Sequence, residues 1–249
     1  MAGKVSNKAT DRCVGPAAPG GFAIKKLVRA LLKSSDFEEA LASSDIPPVK
    51  IVNPLLGLLV EIDELTRWRA VRGVGITVSA MAATNLDSAR EIMRRLIWSL
   101  NDESGGIGWG APEAMGEIMA ENETLGREYH RILVSYIDEN GNPLENGLLE
   151  RGVMWGLCRL AQKRPVFLRD WTGPILAQLQ SPDPVKRGLA LRTLLWLARI
   201  PENLPEPGRL LPLLPPLLDD PSEVRTFQDG AMVCYNIGAM ARELCSYPI

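Results

Sequence analysis

Between residues 50 and 245, apolar side chains recur at spacings of three and four, the period of one helix face. The runs come in pairs. The first run of each pair ends in acidic residues: Leu55–Ile62 before Asp63, Ile92–Leu100 before Asp102, Ile132–Ile137 before Asp138, Ile175–Leu179 before Asp183 and Leu210–Leu218 before Asp219. The second run opens on a long side chain followed by Ala or Gly, as in Trp68-Arg69-Ala70, Trp109-Gly110-Ala111, Glu150-Arg151-Gly152, Lys186-Arg187-Gly188 and Gln228-Asp229-Gly230. The small residues step by 41, 41, 36 and 42, and Trp68 to Trp109 and Trp155 to Trp196 are each 41 apart. Two-helix repeats have periods of ~40–47 residues.

Each unit therefore reads as helix A, a short turn and helix B, with the small residue letting the two helices approach closely. Ser181-Pro182-Asp183-Pro184 and Asp219-Asp220-Pro221-Ser222 supply an N-cap followed by a proline suited to the first helical turn. One such pair cannot bury its own apolar face, so the units must stack. The spacing predicts a single stack over 50–249, with B helices lining its concave face. Ile24–Lys33 and Asp36–Ser43, with Asp36 as N-cap, predict a helical cap over 22–49. Residues 1–21, rich in Gly, Ala and Pro and without an apolar core, read as a flexible tail rather than a secretory signal.

Asp63 and Arg69, like Asp219 and Arg225, stand six apart across the A–B turn, and Asp183-Pro-Val-Lys-Arg187 is close to that arrangement. In these residues the chain resembles HEAT-repeat proteins over roughly 50–245, and among them the subgroup of bilin-lyase-type HEAT-like repeats. Its second and third repeats are similar to uncharacterised HEAT-repeat proteins of sulfate-reducing and related anaerobic bacteria. The resemblance implies an all-α fold, a right-handed α-solenoid of about five HEAT-like helix pairs, in which the Asp and Arg positions form structural ladders. Through the bilin-lyase subgroup it also implies an accessory factor for cofactor attachment or insertion into a client protein. A class of HEAT-like proteins that excises alkylated bases from DNA implies a third role.

The second unit breaks the pattern. Its turn runs Asn101-Asp102-Glu103-Ser104-Gly105-Gly106-Ile107-Gly108-Trp109-Gly110, and it leads into Ala111-Pro112-Glu113. Gly106–Ala111 formally matches a dinucleotide-binding fingerprint, but a helix rather than a strand precedes it, so that chemistry is missing its context. Two readings remain: the glycines let the loop pass close to a neighbouring unit while Trp109 fills a gap, or Trp109 anchors a partner.

Charge sharpens this. The total of -2 conceals +4 over 1–100, -9 over 101–150 and +3 over 151–249. Glu113, Glu117 and Glu121 recur every four residues on one helix face, which reads either as a solvated ridge or as a patch for a basic partner. The candidate partner-binding residues are Asp102, Glu103, Trp109, Glu113, Glu117, Arg151 and Trp155. The expected function is a non-catalytic protein–protein interaction scaffold using the concave face and the Gly/Trp loop. Its partner would be a protein with a basic surface.

Other chemistry finds little support. No Walker A, G-x-S-x-G or HExxH pattern occurs, so no catalytic residue is assigned. No metal or cofactor site is expected: His130 is the sole histidine, in a surface or capping position, and Asp138-Glu-Asn140-Gly-Asn142 has Pro143 and Leu149 where a calcium loop needs Gly and Glu. Cys158 and Cys234 fall in apolar helical runs, as buried free thiols. Arg67, Arg69, Arg72, Arg90, Arg94 and Arg95 form basic clusters, but the acidic centre interrupts any nucleic-acid track. No stretch reaches the ~20 apolar residues of a membrane span, and a cytoplasmic location is expected.

Overall fold

A computed structural model describes residues 21–101 and 108–247. The fold is an all-α repeat solenoid, interrupted once by a β-hairpin. α1 (Gly21–Leu31) and α2 (Phe37–Ala42) are the two helices that precede the first unit. Asp36 stands at the N-cap of α2, but its side chain accepts from the Ser34 hydroxyl rather than from the helix. The first four units pair α3 (Pro48–Leu56) with α4 (Glu64–Thr84), α5 (Leu86–Asn101) with α6 (Ala111–Glu121), α7 (Glu123–Ser135) with α8 (Gly147–Lys163), and a segment centred on α9 (Thr172–Ala177) with α10 (Pro184–Leu197). The first A helix ends earlier than the apolar run suggested: Leu55–Ile62 lies mostly in a turn, and Ile62 is 94% exposed. No described helix is long and apolar enough to cross a membrane.

The B helices α4, α6, α8 and α10 pack on one another in chain order and carry the core. Their starts follow the cap rules: Asp63 accepts from the Thr66 amide at 2.9 Å, Asn146 from the Leu148 amide at 3.0 Å, and Asp183 from the Val185 amide at 2.9 Å. α6 and α8 approach closest, with Gly116 set directly against Gly156.

The expected ladder exists with different partners. Arg151 donates to Asp183 of the next unit at 2.6 Å, and Arg187 to Asp220 of the next at 2.7 Å. Asp63 and Arg69 do not pair: Asp63 is spent on its own cap, and Arg69 donates to the carbonyls of Leu32 and Ser34 at 2.9 and 2.8 Å, tying the link between α1 and α2 to the first unit.

The fifth unit departs most from expectation. Its A segment is split into α11 (Pro207–Leu210) and α12 (Pro215–Leu218), because Pro212, Pro215 and Pro216 remove amide donors. The B helix expected from Gly230 is absent. In its place β1 (Glu223–Gln228) and β2 (Ala231–Asn236) form an antiparallel hairpin, and Asp219-Asp220-Pro221-Ser222 leads into it rather than capping a helix. Asp229 and Gly230 make the two-residue turn with φ of 47° and 89°. The positive φ at both positions is what a hairpin turn of this length needs, and Asp-Gly supplies it at little cost.

The true fifth B helix is α13 (Ile237–Cys245), and its Gly238 stands where the repeat places a small residue. The hairpin is an excursion whose ends meet. The Ile237 amide donates to the Ser222 carbonyl, and the Gly238 amide to the Asp220 carbonyl, both at 3.0 Å.

Candidate functional site

Helical spacing puts Glu64, Trp68, Val71 and Arg72 on one face of α4, Arg151, Trp155 and Arg159 on one face of α8, and Leu189, Arg192 and Trp196 on α10. These faces turn to the same side of the B row, and the hairpin folds back across them. The Phe227 ring stacks on Trp68 with centroids 5.7 Å apart and planes parallel within 1°. Trp68 meets Trp155 at 4.8 Å, over α6. Trp155 Nε1 donates to the Phe227 carbonyl at 3.0 Å, and Arg225 pairs with Glu64 of the first unit. The hairpin thus joins the fifth unit to the first and divides the inner face into two cavities, with Trp155, Leu189 and Thr226 lining both.

The larger cavity, about 470 Å³, is bounded by Trp68, Trp109 and Trp155 with Glu113, Arg67 and Arg151. Trp109 stands at its mouth, 37% exposed. Gly110, with φ of 76°, then turns the chain into α6 while touching Leu59 of the preceding unit. Gly110 thus lies against the preceding unit, and Trp109 is partly exposed beside it. Glu113 in the first turn of α6 packs its carboxyl on Gly152, and its Oε2 is buried with no hydrogen-bond partner.

Burial pushes Glu113 up to about 7, against smaller opposing effects of its own backbone amide and of Arg67. The native state holds that proton more tightly than the unfolded chain does. The cost of burying the carboxylate is therefore absent below about pH 4.5 and fully present above about pH 7. Glu113→Gln should raise stability by up to about 3 kcal/mol at pH 8, with the gain fading toward pH 4.5. Urea unfolding of both proteins at the two pH values checks this; a gain that grows on acidification would reverse the sign.

The smaller cavity, about 250 Å³, mixes charged side chains such as Arg159 and Arg192 with the apolar Trp196 and Leu189. Glu117 sits beneath it, 1% exposed, with its carboxylate held by Arg72 of α4 and by Arg159 of α8 at 2.9 Å. Glu121 and Glu38 complete the network. Burial alone would lower the Arg72 pKa, but Glu38, Glu117 and Glu121 together hold it above its ordinary value. The Glu113–Glu121 face is therefore not a free acidic ridge. Glu117, expected on a patch for a basic partner, is an internal counter-ion for two arginines that the charge count assigned to other blocks.

Of the residues singled out by sequence, Trp109, Glu113, Arg151 and Trp155 gather around one cavity, and Glu117 lies below the other. Asp102 and Glu103 lie outside the described residues. Sequence reasoning passed over Trp68 as a site residue, although its 41-residue step to Trp109 marked it, and it missed Phe227 entirely. His130 is buried rather than superficial, bonded to the Gly126 carbonyl at 2.9 Å and stacked on Phe167. Cys158 is buried as expected, and burial pushes its thiol up to about 11, which leaves it protonated and inert. Cys234 is exposed on β2 instead of buried in a helix. Among the described residues no cluster of His, Cys, Asp or Glu could hold a metal ion.

No family model matches the chain. An uncharacterised protein of Archaeoglobus fulgidus is 33% identical over 85 residues, which are 34% of this chain and 43% of that one. The match thus spans less than half of that relative's length. A computationally designed armadillo repeat protein for modular peptide recognition superposes with a TM-score of 0.51 at 16% identity, over 90% of this chain and 91% of that one. A designed armadillo repeat protein in complex with the peptide (KR)4 superposes with a TM-score of 0.54 at 16% identity, over 90% of each chain. The fold is an armadillo-like helical-repeat solenoid.

Proposed function

We propose that the chain is a non-catalytic protein-interaction scaffold, and that a partner segment lies along the inner face with a basic side chain in the cavity between Trp68, Trp109 and Trp155. The observation that carries this reading is the buried Glu113 Oε2 without a partner, in a cavity walled by three indole rings. An ammonium or guanidinium group is attracted to the faces of such rings, and it supplies the donors that Glu113 lacks. Two of the cavity's three arginines are already in ion pairs, and the third is held by a backbone carbonyl. Arg151 pairs with Asp183, Arg225 with Glu64, and Arg67 donates to the Glu61 carbonyl. The superposed designed armadillo repeat protein in complex with the peptide (KR)4 supports a basic peptide as the kind of guest this fold can accommodate.

The test is fluorescence anisotropy of a labelled octapeptide of alternating lysine and arginine, at about 0.15 M salt to screen diffuse attraction. Saturable binding is expected, weakened about tenfold by Trp109→Ala, a loss of about 1.4 kcal/mol. Absence of saturable binding, or binding indifferent to Trp109→Ala, contradicts the reading.

A further inference from the structure

The hairpin is seated in the inner face much as a bound strand would be, and its contacts lie on one continuous stretch. Val224 fills the space left by Gly188 on α10, and the Phe227 ring stacks on Trp68. The Phe227 carbonyl accepts from Trp155 at 3.0 Å. Arg192 donates to the Gln228 side chain at 2.9 Å, and the Asp229 carboxylate accepts from Gln162 at 3.3 Å with Arg159 at 3.7 Å. β1 buries Val224, Thr226 and Phe227, whereas β2 buries no residue fully. The second strand props the first. It adds one polar link, the Tyr235 hydroxyl, which lies 3.1 Å from Arg192 and 2.6 Å from Gln228.

We infer that the hairpin is an internal ligand, and that its slot takes a partner's extended segment carrying an aromatic residue two positions before an acidic one, as Phe227-Gln228-Asp229 does. This rests on the reading of the inner face as a protein-binding surface. It commits to a partner of that chemistry because a single strand would reproduce every groove contact made by residues 224–229, leaving out only the Tyr235 link from β2. Displacement is feasible on three grounds. A two-stranded hairpin has marginal stability of its own. The tip contacts to Asp229 are long, 3.3 to 3.7 Å, and the Asp229 side chain is itself mostly exposed. The ends of the excursion are already joined by the Ser222–Ile237 and Asp220–Gly238 hydrogen bonds, so the fifth unit keeps its frame when the hairpin swings out.

The probe is a labelled peptide with the sequence Val-Arg-Thr-Phe-Gln-Asp-Gly, added to the full chain and to two variants that loosen the resident hairpin. Phe227→Ala removes the stacked ring. Asp229→Asn keeps a residue that tolerates the positive φ of the turn but removes the tip charge, and it guards against loss of fold in the first variant. Binding should be tighter by about tenfold in each folded variant than in the wild type. Replacing Phe or Asp in the peptide should abolish the gain. Hydrogen exchange should show residues 224–236 of the wild-type chain opening as peptide is added. Equal affinity for wild type and Asp229→Asn, or peptide binding that leaves exchange of the hairpin amides unchanged, overturns the inference. The lysine/arginine octapeptide, run beside it, reports on the scaffold reading separately: retained octapeptide binding with no strand competition removes only the internal ligand.

Discussion

Replacing Gly116 with alanine is expected to lower the unfolding free energy by about 3 kcal/mol. A Cβ at Gly116 would fall against the Gly156 Cα and within 2.6 Å of the Gly156 carbonyl oxygen. Both obstacles are backbone, so no side chain can rotate away, and α6 and α8 must separate. Alanine's better helix propensity, worth about 1 kcal/mol, acts in the opposite direction and is outweighed. Gly147→Ala, where a Cβ meets nothing within 4 Å, is the matched control and should be neutral or slightly stabilising. Urea unfolding decides it: equal midpoints for Gly116→Ala and the control would mean that α6 and α8 are not in this contact.

The second large effect is expected at Glu117. Glu117→Gln leaves Arg72 and Arg159 facing each other under the smaller cavity, with the partly exposed Glu121 and Glu38 and the more distant Asp229 as compensation. Removing one member of a buried ion pair costs about 3–5 kcal/mol, chiefly through the charge left behind. The network links α4, α6 and α8, so three successive units should lose cooperativity together. Glu123→Gln, which breaks only exposed pairs with Arg127 and Arg164, should cost well under 1 kcal/mol. A Glu117→Gln protein as stable as Glu123→Gln would show that the carboxylate is solvated, as the ridge reading held.

The repeat architecture was legible because it is written in local signals. The cap at Asp183, small residues at the helix seams and apolar runs at helical spacing are each decided within a few residues. The fifth unit misled for a physical reason. The 42-residue step to Gly230 matched the period by coincidence, while the signal that governs there is shorter: Asp229-Gly230 between two runs containing Val224, Thr226, Phe227, Val233 and Tyr235. Those residues favour a pleated strand pair with a tight turn. The acidic ridge misled differently. The spacing of Glu113, Glu117 and Glu121 places them correctly on one face, but their partners Arg72 and Arg159 lie 45 and 42 residues from Glu117, and only the stacking of units reveals the pairing. The cavity itself was half visible, as Trp109, Glu113, Arg151 and Trp155 without Trp68 or the hairpin that closes it.

The most direct test of the central claim is the affinity of the lysine/arginine octapeptide for the wild type and for Glu113→Gln across pH. A bound cation favours the ionised carboxylate, so binding expels the proton that Glu113 holds up to about pH 7. The wild type should bind about tenfold more tightly than Glu113→Gln at pH 8, and the two should converge by about pH 5. Equal affinities at pH 8, or a difference that widens on acidification, would contradict a cation-binding cavity on the inner face.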